Sequence, residues 1–459
     1  MDRHVKVAVA GGTWILLGSI SVSLSGFVFW LVITWLVGVE SVGVASATVS
    51  SSTIAVTLVG AGLNIAVMRE VAARGLRAFI AALVLSSIVG LVAGILAVPL
   101  IQALGYGDLA LIASLLAIAT AISVAVLSSL IGFERFKDYF QATLIGSVSK
   151  LVVGIVFAIL GFKFLAPLIG YLAYPVTASL VASAFLASTI NLKDVRLGGK
   201  DLKNMAMLAL SNYPYMFSNQ LLTMLGVYVF AYLVREAIPT GILYIALMIM
   251  LSIAMVPGSI LSAALPIGTR RNTNPFAESF RIGLALATPI IVAVATASTL
   301  ILKAVNPELV QGADTLRILL LSIAPLTALT TAITKLNKEG QTKSIAVIGV
   351  ARLVLLIALL PPLTGMLGIQ GAALAFLTTN ILLIPLVLRI EPVIAKSLLA
   401  LWGIHLALAL LFYIAPLSEL VKAVGALVLA PMLMHVTNTF TLNEFYSTLK
   451  VIVNTLYHR

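Results

Sequence analysis

An all-α membrane protein of fourteen transmembrane helices is the fold this sequence predicts, and three observations carry that reading. Of the 459 residues, 61% are hydrophobic and 10% are charged; with a mean hydropathy of +1.15, the chain lies well outside the range of soluble domains. Apolar stretches of about twenty residues or more recur, which is the length that crosses a bilayer core. Stretches such as Phe79 to Leu100 lack the polar–apolar alternation of a barrel strand. Backbone polar groups in lipid must then be satisfied within helices.

In order, helices are expected at 12–37, 42–67, 78–103, 109–132, 139–160, 164–190, 205–234, 238–267, 282–303, 313–334, 344–361, 369–388, 393–415 and 418–438. The tail from Thr441 to Arg459 has Phe445, Leu449, Ile452 and Leu456 at helical spacing, which predicts a short surface helix. No short apolar segment with a small-residue cleavage site precedes the first helix, so no removable signal peptide is expected. The absence of cysteine excludes disulfides and thiolate metal sites.

Charge orients the bundle. With the N-terminus inside, the even-numbered links and the termini hold twenty of the 28 basic residues, among them Arg69, Arg135, Lys193, Arg270, Lys335 and Arg389. The opposite links hold only Lys163, Arg235, Lys303 and Lys422. The positive-inside rule then predicts a multi-pass protein of the cell membrane with both termini cytoplasmic. A cytoplasmic face also explains the net charge of +12 without nucleic acid.

Asn191 to Asn204 is the longest polar link and divides the first twelve helices into two sets of six. The sets match at a common offset. Val39-Glu40-Ser41-Val42-Gly43 follows the first helix, and Arg235-Glu236-Ala237-Ile238-Pro239-Thr240-Gly241 follows the seventh. Lys150-Leu151-Val152 in the fifth parallels Arg352-Leu353-Val354 in the eleventh. The expected organisation is an N-lobe at 1–190, a cytoplasmic linker at 191–204, a C-lobe at 205–390, and two further helices with the tail at 391–459. Such repeats are typical of transporters, which bind cargo at the repeat interface.

All sixteen carboxylates fall in links, tails or helix ends, so buried acid–base pairs are absent and a metal site has no support. No Walker loop or HExxH motif occurs, no cofactor is implied, and the chain is not read as an enzyme. Lys150 and Arg352 lie near the middle of their helices, where a cation costs about 2.5–3.5 kcal/mol on insertion scales. Two cations at equivalent repeat positions point to an anion from outside, such as a phosphate or pyrophosphate. The competing reading has Lys150 snorkelling to a headgroup and Arg352 bonded to helix carbonyls.

In the seventh helix, Asn212, Tyr213 and Gln220 stand around Pro214 as candidate contacts for sugar hydroxyls or for neighbouring helices. Pro214, Pro257 and Pro266 are kink candidates. His405 and His435 read as packed or interfacial histidines, the seryl and threonyl patch from Ser46 to Thr53 as helix packing or cavity wall, and Gly90 and Gly94 as a close helix approach. Arg317 and Lys396, near helix ends, read as snorkelling cations.

Val37-Gly38-Val39-Glu40-Ser41-Val42-Gly43-Val44-Ala45, Gly62-Leu63-Asn64-Ile65-Ala66-Val67-Met68-Arg69-Glu70-Val71-Ala72 and Gly132-Phe133-Glu134-Arg135-Phe136-Lys137-Asp138-Tyr139 resemble the polysaccharide flippases of the MATE-like superfamily. The likeness covers most of the first twelve helices. It implies two six-helix lobes around a central cavity and alternating access. It also implies cargo in the form of a polyprenyl- or dolichyl-linked glycan carried from the cytoplasmic to the outer leaflet. Cationic cavities in that family agree with Lys150 and Arg352. The drug exporters of the superfamily use carboxylates in their first or seventh helix, and this chain has none there.

The expected function is therefore a lipid-linked oligosaccharide flippase, with an ion-coupled multidrug exporter as the alternative. Its partners would be the lipid-linked glycan and membrane lipids, with a monomer or a complex with glycan-assembly enzymes both left open.

Overall fold

Long runs of Leu, Ala, Val and Ile uninterrupted by charge wind into helices, and glycine decides where several of them stop. The computed structural model describes residues 3–187, 199–271, 275–339, 341–441 and 443–444; among these, the side chains at 3–13, 16, 211–212, 214–216, 218–223, 262–271 and 413 lie outside the description. Most of the expected linker at 191–204 and most of the expected tail helix therefore fall outside the described residues. The described residues are helical with short links, and no strand occurs among them.

The chain divides into two compact units, Met1–Tyr244 and Ile245–Arg459. The first holds α1 (Arg3–Val37), α2 (Val39–Gly60), α3 (Leu63–Arg74), α4 (Leu76–Ala103), α5 (Ala110–Gly132), α6 (Phe136–Ile159), α7 (Leu165–Ala187), α8 (Gly199–Val234) and the first turns of α9 (Ala237–Arg271). The second holds the rest of α9, then α10 (Phe276–Thr296), α11 (Ser298–Val305), α12 (Ala313–Leu321), α13 (Ile323–Lys338), α14 (Thr342–Leu382), α15 (Ile384–Ile390), α16 (Ala395–Ile414) and α17 (Glu419–Val436).

Twelve segments among the described residues are long and apolar enough to cross a membrane, which makes this a multi-pass membrane protein. The number fourteen does not follow from that criterion. One of the twelve, Thr342–Ile390, is 49 residues long. It is not one rod. At Gly368 the backbone turns to φ 57 and ψ −132, a conformation favoured by glycine, and the chain folds back on itself. A Cβ at Gly371 would strike the carbonyl of Leu363, eight residues earlier, an approach impossible in a continuous helix.

A second departure concerns the expected helix 42–67. Gly62 adopts a left-handed conformation (φ 88), so α2 ends at Gly60 and α3 restarts at Leu63. In the first unit, Leu63, Val67, Phe79, Leu130, Leu186 and Met205 bury an aliphatic core across α3, α4, α5, α7 and α8. The glycine pair of α4 serves packing: a Cβ at Gly90 would touch Ile118 of α5 at 3.3 Å. The hydroxyl patch of α2 also serves packing, with Ser52 donating to the Ala113 carbonyl at 2.9 Å.

The two sequence matches that follow the first and seventh expected helices come together. A Cβ on Gly43 would strike the Ala237 carbonyl, and one on Gly241 would strike the Val39 carbonyl. Gly43 stands to Val39 as Gly241 stands to Ala237, so the contact is reciprocal, as between two-fold-related partners. Gly241→Val should therefore lower stability by about 1–3 kcal/mol or more, since a backbone carbonyl cannot rotate away. A thermal melt in detergent reads this, and Gly75→Val, at an open position, is the control that reports backbone strain alone.

Beyond α17 the chain is pinned by charge. Glu444 lies 2.7 Å from Arg281 and accepts from the Thr441 amide at 2.7 Å. The Arg281 hydrogen bond, then that of Thr441, hold its carboxyl down at about 2 from an ordinary 4.5. A lowered value means that the contact contributes fully above the ordinary value and fades as pH falls toward 2. Hydrogen exchange at 437–444, normalised to the denatured chain, should rise across that window, and Glu444→Gln should flatten the response.

Candidate functional site

The best-defined candidate is a lysine with no acid beside it. Lys150 lies on α6 with Gly146 and Gly154 four residues to either side, so all three share one helix face. Small residues let helices approach closely in a membrane. Here a Cβ on Gly146 would meet the Tyr174 carbonyl at 3.0 Å and one on Gly170 would meet the Lys150 carbonyl at 3.0 Å. Phe29 of α1 lies against Gly154 as well. This close packing of α6, α7 and α1 draws aromatic rings around the ammonium.

Lys150 Nζ lies 5.6 Å from the ring centre of Phe29 and 5.7 Å from those of Tyr171 and Tyr174. A Cβ built on Gly26 of α1 would be 3.7 Å from Nζ, so the absent side chain there leaves the ammonium its room. The residue is 4% exposed. Among the described residues it has no ion pair and no hydrogen-bond acceptor. Each ring–cation contact contributes roughly 0.5–2 kcal/mol, against a desolvation cost of several kcal/mol for a buried ion. The cage tolerates the charge without neutralising it. The nearby hydroxyl of Ser147 is likewise buried without a partner.

Arg352 occupies the first arm of the α14 hairpin, in the second unit. Its Nε donates to Asn380 Oδ1 at 3.0 Å, from the returning arm. Asn380 donates its own amide to the Phe376 carbonyl at 2.9 Å, which fixes the oxygen toward the guanidinium. Arg352 also lacks an ion pair among the described residues, and one hydrogen bond leaves most of its five N–H donors to be satisfied. In each unit, then, a cation on the outgoing arm of a hairpin faces neutral groups of the returning arm. Neither is neutralised by an acid among the described residues.

The other candidates fare differently. Tyr213 donates its hydroxyl to the Leu58 carbonyl of α2 at 2.8 Å and stacks on Phe217. The side chains of Asn212, Pro214, Gln220 and Pro266 lie outside the described residues. Pro257 is buried in α9 and packs on Gly283, where a Cβ would fall 2.8 Å from its Cα. Trp30 is core, edge-on to Tyr244 at 4.9 Å, whereas Trp35 is 69% exposed. His405 is fully buried and bonds Thr288 at 2.8 Å, with no carboxylate among its hydrogen-bond partners. Arg317, expected to snorkel, pairs with Asp314 at 2.6 Å, a carboxylate that is itself 57% exposed. Sequence reasoning also missed the aromatic cage, although the Gly146–Lys150–Gly154 spacing and the two tyrosines of α7 were its signal. No metal-binding cluster occurs among the described residues.

Apolar spanning helices broken at glycine, with hairpin arms carrying cations that have no ion pair among the described residues, make this a polytopic membrane protein, and its fold is the MATE-like one. Solved structures share it. A lipid II flippase, MurJ, in an inward closed conformation aligns with a TM-score of 0.65 at 14% identity, over 92% of this chain and 98% of that one. The MATE multidrug transporter DinF-BH aligns at 0.58 and 18% identity, over 85% and 96%. The Vibrio cholerae MATE transporter VcmN aligns at 0.53 and 16% identity, over 87% and 100%. MATE transporters are placed in the MOP superfamily. The family described as polysaccharide biosynthesis protein matches residues 8–270, more than half of the chain. The chain belongs to that family. Among curated proteins no match is found.

Removing a partner from a buried polar group costs about 1–3 kcal/mol. Asn380→Ala should therefore destabilise the protein by about that amount, because Arg352 loses the one acceptor it has here. Lys150→Met should be neutral or stabilising, since it removes a buried charge without stranding another. Paired thermal melts of the two variants check the contrast.

Proposed function

We propose that this protein is a flippase that moves a lipid-linked oligosaccharide from the cytoplasmic to the outer leaflet, with Lys150 and Arg352 as cationic contacts for its phosphate or pyrophosphate. The observation that carries this is the buried ammonium of Lys150, which among the described residues meets only aromatic rings. An ion kept in a low-dielectric site without a counterion binds an arriving anion more strongly than a solvated or paired one. Arg352 adds planar donors suited to two phosphate oxygens. Membership in a polysaccharide biosynthesis family supports a glycan cargo, and the fold shared with a lipid II flippase supports a lipid-linked one. The reciprocal Gly43–Gly241 contact supports a repeat of two six-helix lobes, and the bias of basic residues supports cytoplasmic termini.

The multidrug transporter DinF-BH has the same fold. Ion-coupled drug export nevertheless fits this chain less well. Residues 7–37 and 204–234, the apolar parts of α1 and α8, contain no carboxylate. A cationic site also repels cationic compounds.

Replacing both cations, Lys150→Met with Arg352→Gln, should lower translocation of a lipid-linked glycan in reconstituted vesicles by at least about tenfold, the equivalent of one lost charge-assisted contact. Lys150→Arg should retain most of the rate. Unchanged transport in a folded double variant sinks the anion-site assignment, and gradient-driven uptake of a cationic dye would favour the exporter.

A further inference from the structure

The second unit contains a cleft whose lining does not include Arg352. The end of α10, the second half of α12, the second half of α16 and the first turn of α17 enclose about 430 Å³, within the roughly 300–1,000 Å³ typical of ligand sites. Leu321, Leu406 and Phe412 line it, with Arg317, Glu419 and Lys422 where the helix ends converge. It is apolar along its length and charged at one end. Its walls are pinned: His405 of α16 bonds Thr288 of α10 at 2.8 Å, and Trp402 donates to the Leu321 carbonyl at 3.0 Å. Thr288 donates its own proton to the Leu284 carbonyl at 2.7 Å, so His405 Nε2 is the donor to Thr288.

The charges at the mouth are not equivalent. Arg317 pairs with Asp314 at 2.6 Å and reaches Thr299 and the Ala295 carbonyl at 3.3 Å. Glu419 accepts from the Leu300 amide at 2.7 Å, with its second oxygen 3.9 Å from Arg317. Lys422 has no partner among the described residues. Three charged groups thus line the cleft, two positive and one negative, and the unpaired one is a cation. The first turn of α17 beside it adds the positive end of a helix dipole.

We propose that this cleft binds an anionic glycerophospholipid of the surrounding membrane, with its phosphate on Lys422 and one acyl chain along Leu321 and Leu406. Basic pockets between membrane helices select anionic headgroups in this way. A chain lying between pinned walls exchanges more slowly than bulk lipid. The site lies at the end of α10 opposite Arg281, away from the basic links, so its lipid comes from the leaflet those links do not face.

The test uses the full chain in detergent, titrated with phosphatidylglycerol or phosphatidylcholine and read by native mass spectrometry and thermal melting. Phosphatidylglycerol should remain bound and raise the melting temperature, with phosphatidylcholine at least about fivefold weaker. Lys422→Gln should erase that preference while Lys422→Arg keeps it. Ala409→Phe, which fills the cleft, should lower retention of both lipids. Equal affinity for the two lipids, an unaltered preference in Lys422→Gln, or the same stabilisation by inorganic phosphate alone would each overturn the proposal.

Discussion

A positive charge that the protein encloses but does not neutralise is the constraint on which the rest of the first unit turns. The Lys150 ammonium is ringed by Phe29, Tyr171 and Tyr174 from two other helices. Aromatic faces attract a cation without supplying a counter-charge, so the site holds the ion and leaves its attraction for anions largely intact. Carboxylates in the same positions would make a stable internal pair with no need of an outside ligand. The helices around Lys150 must approach closely for the rings to reach it, and Gly146, Gly154 and Gly170 supply that approach. Packing and electrostatics are therefore one arrangement.

The second unit reaches a similar balance by another route. Arg352 is half-buried, and its neighbour Asn380 is oriented by the Phe376 carbonyl so that only the amide oxygen faces the guanidinium. A neutral acceptor steadies the side chain and leaves its charge uncancelled. Both cations sit on the first arm of a hairpin and meet the second arm, which is the correspondence expected of repeated halves. Within the first unit, Gly43 seats on Ala237 and Gly241 on Val39 in a reciprocal contact of backbone atoms.

Fold and family constrain function to different degrees. The fold is common to a lipid II flippase and to multidrug transporters, so it does not select a cargo. On the proposed reading, selection rests on the site: cations with no ion pair among the described residues suit a phosphate-bearing lipid and repel organic cations. In the lipid site proposed beside α17, a single lysine distinguishes headgroups while apolar walls hold an acyl chain.

Hydropathy and the placement of charge were enough to determine that this chain crosses a membrane many times as helices, because lipid permits no other way to satisfy a backbone of this composition. They also singled out Lys150 and Arg352, since a lone cation in an apolar run is costly wherever it points. Tertiary structure decided what surrounds them. The rings at Lys150 come from residues 121 positions earlier and more than twenty later, and Asn380 reaches Arg352 only because Gly368 reverses the chain. It also decided that Arg317 pairs with Asp314, and that Trp30 is core while Trp35 is not. Periodicity records which face of a helix is apolar, but it carries no information about which other helix that face will meet.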